Sequence, residues 1–255
     1  MPSAIKHDHE LASKGLVSIL VESQGSTEPA LEGFLWKTFP DNDCFSCIGT
    51  FVPIPESRGI PHAAVIGVDG TLLWAGHPLS AQKQIQELIE AELQKVKKGW
   101  GDTAEVRKMR AALYGKGDLA AALAAIAALP EGEHRTALQT EIDGRYATLK
   151  KAIETQKERG EWLAAQAQAK ALLKGVGTTV AWVAEVTPIV AEFDSEAGKA
   201  EIALEKKLEK IVKQLRDKKG DNAPKALKAL LKDDGNSKVA ARIQRTLTAL
   251  ETPLQ

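Results

Sequence analysis

Two cysteines, three residues apart, carry the most reactive side chains of this sequence. Cys44 and Cys47 are its only cysteines and form the sequence Cys-Phe-Ser-Cys. A Cys-x-x-Cys pair can close a disulfide, and a lowered thiolate pKa makes such a pair a redox centre. Here the pair lies in a loop bounded by Pro40 and Pro53, not at the start of a helix. Three interpretations stay open: a redox pair, a structural disulfide or inert thiols, and a metal-related pair.

A zinc site would need two more ligands beside the cysteine pair. His62 and His77 are the nearby candidates in the sequence, and both flank predicted strands at one end of a hairpin. One cysteine pair without a second Cys or His pair is half a zinc signature, so polar strand ends are favoured over ligands. His7 and His9 point about 200° apart on a helix and are not expected to chelate one ion. We expect no metal site and no cofactor.

Composition and charge exclude several classes of function. The 255 residues include 34 basic and 34 acidic side chains, so the net charge is zero and neither nucleic acid nor a polybasic membrane contact is expected. The longest apolar stretches, residues 16–21 and 120–129, are far shorter than the roughly 20 residues that span a bilayer. Residues 1–10 lack the basic start and apolar run of a signal peptide. The sequence contains no phosphate-binding glycine loop and no serine-hydrolase motif.

The chain divides by composition into two parts. Seven of the 11 prolines lie in residues 1–100, whereas residues 101–255 are rich in Ala, Leu, Lys and Glu, the strongest helix formers. The first part is predicted as helix, strand, helix, loop, hairpin and helix. Its strand, at residues 16–22, is apolar and partly β-branched, so we expect it to be buried. The turn Asp69-Gly70 supplies the positive φ angles of a two-residue hairpin turn.

The second part carries apolar residues at helical spacings of three and four. Pro188 is expected to end or kink its helix, whereas Pro224 fits the first turn of another. Residues 170–174 and 228–232 share the sequence Lys-Ala-Leu-Leu-Lys, which resembles a degenerate helical-repeat array of the tetratricopeptide kind without its fixed period. The predicted core positions are Val106, Met109, Leu113, Leu119, Leu123, Ile126, Leu138, Ile142, Tyr146, Leu149, Ile153, Trp162, Ala165, Ala169, Leu172, Leu204, Leu208, Ile211, Leu215, Val239, Ile243, Leu247 and Leu250.

One segment of the first part resembles a known family. The tripeptide Gly-Ile-Pro at residues 59–61 is followed by HAAVIGVDGTLLWAGHP at residues 62–78. The Gly-x-Pro, the Asp-Gly turn, Trp74 and Gly76 occur in the order found in thioredoxin-like proteins. The segment looks most like the TlpA- and ResA-like thiol-disulfide oxidoreductases.

This resemblance implies a fold and a substrate site. It implies an incomplete α/β thioredoxin-like domain over residues 1–100, followed by an all-α helical-repeat-like domain over residues 101–255. By the same resemblance Pro61 is the cis-proline that borders the active site, and Ile60 offers its backbone to an extended substrate peptide. These two residues would therefore bind the substrate.

The resemblance also implies that the family's own catalytic cysteines are missing. In the family the redox Cys-x-x-Cys starts the first helix and is followed by a pair such as Met-Pro, which Met1-Pro2 matches. We therefore expect the chain to begin just after those cysteines, as a fragment or a shortened product whose sheet lacks its first strand. Members of the family are often exported, so a periplasmic or similar compartment is implied.

Thiol-disulfide exchange with a protein or a small thiol is the function that the resemblance implies. Cys44 and Cys47 are the catalytic candidates left in the chain: one thiolate would attack a disulfide, and the second cysteine would resolve the mixed disulfide. The alternative is a non-enzymatic interaction module whose helical part offers a surface to a protein partner. A peroxidase of the peroxiredoxin kind is a third interpretation, and its cysteine would also lie upstream.

Overall fold

Helices dominate the structure. A computed structural model describes residues 2–39, 44–49, 61–217, 222–233 and 237–253. It is 71% helical and contains two small sheets. The α-helices are α1 (Pro2–Leu11), α2 (Glu28–Thr38), α3 (Gln82–Lys98), α4 (Ala104–Arg110), α5 (Leu119–Ala127), α6 (Glu133–Glu158), α7 (Trp162–Gly175), α8 (Val180–Glu192), α9 (Glu196–Arg216), α10 (Ala223–Asp233) and α11 (Lys238–Glu251). The strands are β1 (Ile19–Val21), β2 (Phe45–Cys47), β3 (Ala63–Ile66) and β4 (Leu72–Gly76), and a π-helical segment, Ala111–Lys116, continues α4.

The prediction of a thioredoxin-like α/β domain over residues 1–100 is wrong. In the described part of the chain β1 pairs with β2 in parallel and β3 pairs with β4 antiparallel, which makes two separate sheets of two strands. A thioredoxin-like domain needs one continuous sheet as its central layer. Strands β1 and β2 have only three residues each, too few to form such a layer. The protein is instead mainly helical.

The hairpin predicted around Asp69-Gly70 is present, since β3 pairs antiparallel with β4, but its turn is longer than the two residues expected. The N–H of Gly67 donates to the carbonyl oxygen of Thr71 at 2.8 Å, and that of Gly70 donates to the carbonyl oxygen of Gly67 at 3.0 Å. Gly70 adopts a φ of 83°, a left-handed conformation that glycine tolerates without strain. Glu92 of α3 fixes the hairpin, because its Oε2 accepts a hydrogen bond from the backbone N–H of Val68 at 2.9 Å. The carboxylate of Glu92 also pairs with the ammonium group of Lys95 at 2.5 Å. The hairpin is thus attached to α3.

One hydrophobic core runs through the helices that follow residue 100, at the positions that the helical spacing predicts. Leu123, Leu149, Leu215 and Leu250 pack half-buried against this core. The other predicted positions are buried, namely Val106, Met109, Leu113, Leu119, Ile126, Leu138, Ile142, Tyr146, Ile153, Trp162, Ala165, Ala169, Leu172, Leu204, Leu208, Ile211, Val239, Ile243 and Leu247.

Pro188 and Pro224, two of the four prolines after residue 100, have different effects on their helices. Pro224 lies in the first turn of α10, as predicted, where its missing N–H would have no partner in the helix. Pro188 lies inside α8, which continues through it to Glu192, so the helix does not end there. A helix can absorb the loss of one backbone bond when its buried face holds it in place. Val186 and Phe193, both buried, supply that contact for α8.

Helices α6 and α8 run side by side in the same direction. Lys150 and Lys157 of α6 pair with Glu185 and Glu192 of α8 at 2.5 and 2.6 Å. Both pairs join residues 35 positions apart, as the hydrogen bonds between the same side chains also show. Because the offset is constant over seven residues, the two helices must be parallel. Helix α7, which connects α6 to α8 in the chain, packs against both of them.

Glu205 of α9 joins three helices through one buried carboxylate. Its Oε2 accepts a hydrogen bond from the backbone N–H of Leu163, in the first turn of α7, at 2.6 Å. Its Oε1 accepts one from the guanidinium of Arg242 on α11 at 2.7 Å. Burial raises the pKa of Glu205, while the Leu163 N–H and the Arg242 charge act in the opposite direction. Glu209, one turn further along α9, pairs with the same guanidinium at 2.8 Å.

A second carboxylate of α9 forms hydrogen bonds with the backbone N–H groups in the first turn of α11. The two carboxylate oxygens of Glu201 accept hydrogen bonds from the backbone N–H groups of Lys238 and Val239 at 3.1 and 3.2 Å. The hydroxyl of Ser237 caps the same helix by accepting from the N–H of Ala240 at 2.9 Å. Backbone N–H groups at a helix start have no partner within the helix, and they favour a nearby negative charge. Helix α11 therefore begins against α9.

Helix α2, from the first part of the chain, packs against α11 at the other end of the sequence. The two backbones approach so closely at Gly33 that a Cβ atom there would lie 2.5 Å from the carbonyl oxygen of Ala249. The ring of Trp36 packs against the helical core. The ammonium group of Lys37 donates to the carbonyl oxygen of Thr252 at 2.7 Å. Helix α2 is thus held against the last helix.

Replacing Glu205 should destabilise the protein much more than replacing Glu209, although both carboxylates contact Arg242. The Glu205 side chain is 4% exposed and that of Glu209 is 40% exposed. Glu205→Ala leaves the Leu163 N–H and a half-buried guanidinium without this partner, so we expect it to lower the free energy of unfolding by roughly 2–4 kcal/mol. Glu209→Ala should cost less than about 1 kcal/mol. Urea denaturation of both variants measures the difference, and equal losses would contradict the role given to Glu205.

Candidate interaction surface

The two cysteines lie on the edge of the parallel sheet. Cys44 immediately precedes β2 and Cys47 ends it, opposite Val21 of β1. Three steps of about 3.3 Å along an extended strand separate the two Cα atoms by roughly 10 Å. A disulfide needs Cα atoms within about 7 Å of each other. In this conformation the cysteines are not joined by a disulfide, and closing one would require the strand to bend.

The surroundings of the two thiols differ. Cys44 is buried, with 8% of its surface exposed, and Cys47 is half-buried. The Cys47 thiol donates a weak hydrogen bond to the carbonyl oxygen of Leu20 at 3.7 Å. Neither thiol stands at the first turn of a helix, the position where backbone N–H groups stabilise a thiolate. Their assignment as a catalytic pair stays a prediction.

The other residues singled out from the sequence do not form a site with the cysteines. Ile60 lies outside the described residues. Pro61 is exposed and precedes β3, in the other sheet. His62 and His77 are half-buried at the start and end of the hairpin. Within the ranges that the structure describes, no group of three or more His, Cys, Asp and Glu side chains is placed to hold a metal ion.

One face of the parallel sheet is apolar and open to solvent. Paired residues of neighbouring strands point to the same face, so Ile19 and Phe45 lie side by side on it, next to Val21 and Cys47. Ile19 is 61% exposed and Phe45 is 64% exposed. Val17, two residues before β1, is also exposed. We call Val17, Ile19, Val21 and Phe45 the sheet face; it holds four of the nine large apolar side chains that are exposed in the described residues.

An uncovered face is unusual for this kind of sheet. Parallel sheets occur almost only where both faces are covered by other elements. A two-stranded sheet is also marginal by itself and needs a further strand or a packed layer for stability. Clustered exposed apolar side chains mark interaction sites more often than single ones do. The sheet face therefore has the properties of one side of a protein–protein interface.

The sequence predicted the strand but not its exposure. The apolar composition of residues 16–22 predicts a buried strand, yet Ile19 and Val21 point to solvent. The pairing with β2 could not be foreseen, because the prolines around residues 39–61 predicted no regular element there. The available signal was the short run Phe45-Ser-Cys47, in which apolar side chains alternate with a polar one.

A cluster of polar and aromatic groups lies between α6 and α8. The ring of Tyr146 stacks on Trp182 with 4.6 Å between centroids, and its hydroxyl donates to Glu185 at 3.0 Å. Burial and this hydrogen bond raise the pKa of Tyr146 to about 12. The phenol therefore stays protonated at neutral pH, and the ammonium group of Lys150 neutralises Glu185. This cluster joins α6 to α8.

No family model, no curated protein and no solved structure matches this chain. The similarity to TlpA- and ResA-like proteins therefore stays a hypothesis that rests on residues 59–78. None of the described helices is long and apolar enough to cross a bilayer. The sheet face is the feature of the described residues that best indicates a function.

The two cysteines should differ in reactivity in the folded protein. Because Cys44 is buried and Cys47 is partly exposed, iodoacetamide should modify Cys47 roughly tenfold faster. Peptide mass spectrometry after brief labelling measures the two rates, and labelling in urea, where the rates should become equal, is the control. Equal rates in the native protein, or an intact mass showing the loss of two hydrogens to a disulfide, would contradict the described geometry.

Proposed function

We propose that this protein is a non-enzymatic interaction module whose parallel sheet receives an extended segment of a partner protein. The observation that carries the proposal is the open apolar face of a parallel sheet, formed by Val17, Ile19, Val21 and Phe45. A partner that covers this face removes apolar surface from water, at about 25 cal/mol per Å². The partner supplies the layer that such a sheet normally has.

The edges of the sheet favour an extended partner segment over a helix. In the described residues each strand of the pair has one neighbour, so each has an outer edge. A peptide strand added to such an edge gains backbone hydrogen bonds, and its alternate side chains widen the sheet face, which the rest of the partner then covers. The partner segment should therefore carry apolar residues at every second position.

Helix α2 connects the sheet to the helical part. Residues 22–27 connect β1 to α2, and α2 packs on α11 through Gly33. Within that connection the carboxylate of Glu22 accepts hydrogen bonds from the backbone N–H groups of Gln24, Gly25 and Ser26. A rigid connection limits the ordering that binding requires, and so favours affinity.

Thiol-disulfide exchange at Cys44 and Cys47 has weaker support. The strand keeps the two thiols apart, and neither cysteine belongs to the first turn of a described helix. Cys47 borders the sheet face, so a bound partner would cover it. The two functions are distinguishable, because replacing both cysteines by serine removes thiol exchange and leaves an apolar contact in place.

Site-specific photo-crosslinking in the source cells tests the proposal. A photoreactive phenylalanine analogue at position 45 should give discrete adducts with another protein, because Phe45 lies on the sheet face. The same analogue at position 180 is the matched control. Val180 is 81% exposed, but α8 carries no other exposed large apolar side chain. The position-45 adducts should disappear when Ile19→Lys is added and should persist when both cysteines are serine.

Two results would overturn the proposal. The first is equal crosslinking at positions 45 and 180, which would show that exposure alone decides the yield. The second is an adduct of twice 27.4 kDa, which would make the occupant a second copy of this chain. Loss of the adducts in the serine variant would instead support thiol exchange.

A further inference from the structure

Beyond its first turn, where Glu196 is exposed, helix α9 separates its acidic and basic side chains between two sides. Its carboxylates at Glu201, Glu205 and Glu209 face α11 and α7, where all three accept hydrogen bonds. The lysines of the same helix are all exposed: Lys199, Lys206, Lys207, Lys210 and Lys213. The inward carboxylates are occupied by other helices, so they do not neutralise the lysines on the outside.

The exposed lysines form a stripe along one side of the helix. At 100° per residue, Lys199, Lys206, Lys210 and Lys213 fall within about 60° of one another, and a rise of 1.5 Å per residue spreads them over roughly 21 Å. We call these four residues the lysine stripe. Lys207 lies beside it. Such an arrangement presents a linear row of positive charge to the solvent.

The lysine stripe forms no ion pair with a carboxylate of the described residues. In the described part of the chain no carboxylate lies within ion-pair distance of any of its four ammonium groups, although eight other basic residues there have such partners. Like charges three or four positions apart on a helix repel each other and destabilise it. A partner with negative charges would relieve this repulsion.

The neighbouring helix α10 adds to the positive charge of this end of the protein. Lys225, Lys228 and Lys232 are exposed on α10 and, with Ala229, line a shallow depression of about 360 Å³. Glu251 neutralises Lys228 at 2.8 Å. Helix α10 packs against α9, so both sets of lysines belong to the same end of the helical part.

We propose that the lysine stripe binds an acidic segment of a protein, rich in aspartate and glutamate. Nucleic acid is less well matched, because α9 and α10 carry no aromatic side chain for stacking on bases and the stripe contains no arginine. An anionic membrane is less well matched too, since none of the exposed large apolar side chains of the described residues lies on α9 or α10 to enter the bilayer. This surface is separate from the sheet face and does not depend on its function.

Fluorescence anisotropy with a labelled polyglutamate peptide tests the proposal on the full chain. Replacing Lys199, Lys206 and Lys210 together by glutamine should weaken binding roughly tenfold, and binding by the wild type should fall as salt is added. The triple variant should keep its helical circular dichroism and unfold at the same or a higher temperature, because it removes only repulsion.

A matched control carries the same change of charge elsewhere. Lys98→Gln, Lys108→Gln and Lys170→Gln together remove three exposed lysines from three different helices. This variant should bind polyglutamate like the wild type. Equal weakening in the two triple variants would overturn the proposal, because net charge alone would then explain binding. Stronger competition by duplex DNA or by phosphatidylserine vesicles than by unlabelled polyglutamate would also overturn it, in favour of those partners.

Discussion

The buried carboxylate of Glu205 is the contact on which the order of the helical part depends. It ties the first turn of α7 to α11 through α9, so three helices that are distant in sequence share one group. A buried charge is costly unless it is paired and hydrogen-bonded, and this one has partners on both oxygens. The position of α11 then decides the position of α2, which packs on it, and α2 holds β1 through a short connection. The sheet face is therefore placed by a chain of contacts that starts inside the helical core.

The same requirement explains why the surface of α9 is basic. Three of the four glutamates of α9 are turned towards its neighbours, and an exposed helix face is usually charged or polar. The remaining charged positions of α9 are mostly lysines, so the protein has no net charge overall but a strongly positive row at one end. The net charge does not reveal this row of lysines, because it sums the charges of all surfaces, whereas a partner contacts one surface.

Sequence reasoning predicted the helical part well and the first part poorly, for physical reasons. Helix periodicity is a local signal, and positions such as Met109, Ile142 and Ile243 repeat at spacings that only a buried helix face explains. The pairing of β1 with β2 joins segments 26 residues apart and depends on contacts that no local pattern records. The similarity at residues 59–78 led to the wrong fold, since a hairpin with an Asp-Gly turn occurs in many architectures. The sheet face was missed because an apolar strand was assumed to be covered.

Amide hydrogen exchange measured by NMR tests most directly whether the parallel sheet is uncovered. The amides of Glu22 and Phe45 are hydrogen-bonded within the sheet, to Cys47 and Ser18 at 2.9 and 3.0 Å. If the sheet face is open, the amides of Glu22 and Phe45 should exchange about a hundredfold faster than the buried amides of α9 and α11, although they are hydrogen-bonded. Protection of Glu22 and Phe45 equal to that of Ile243 in the isolated protein would show that the sheet is already covered, and would contradict its role as an interaction surface.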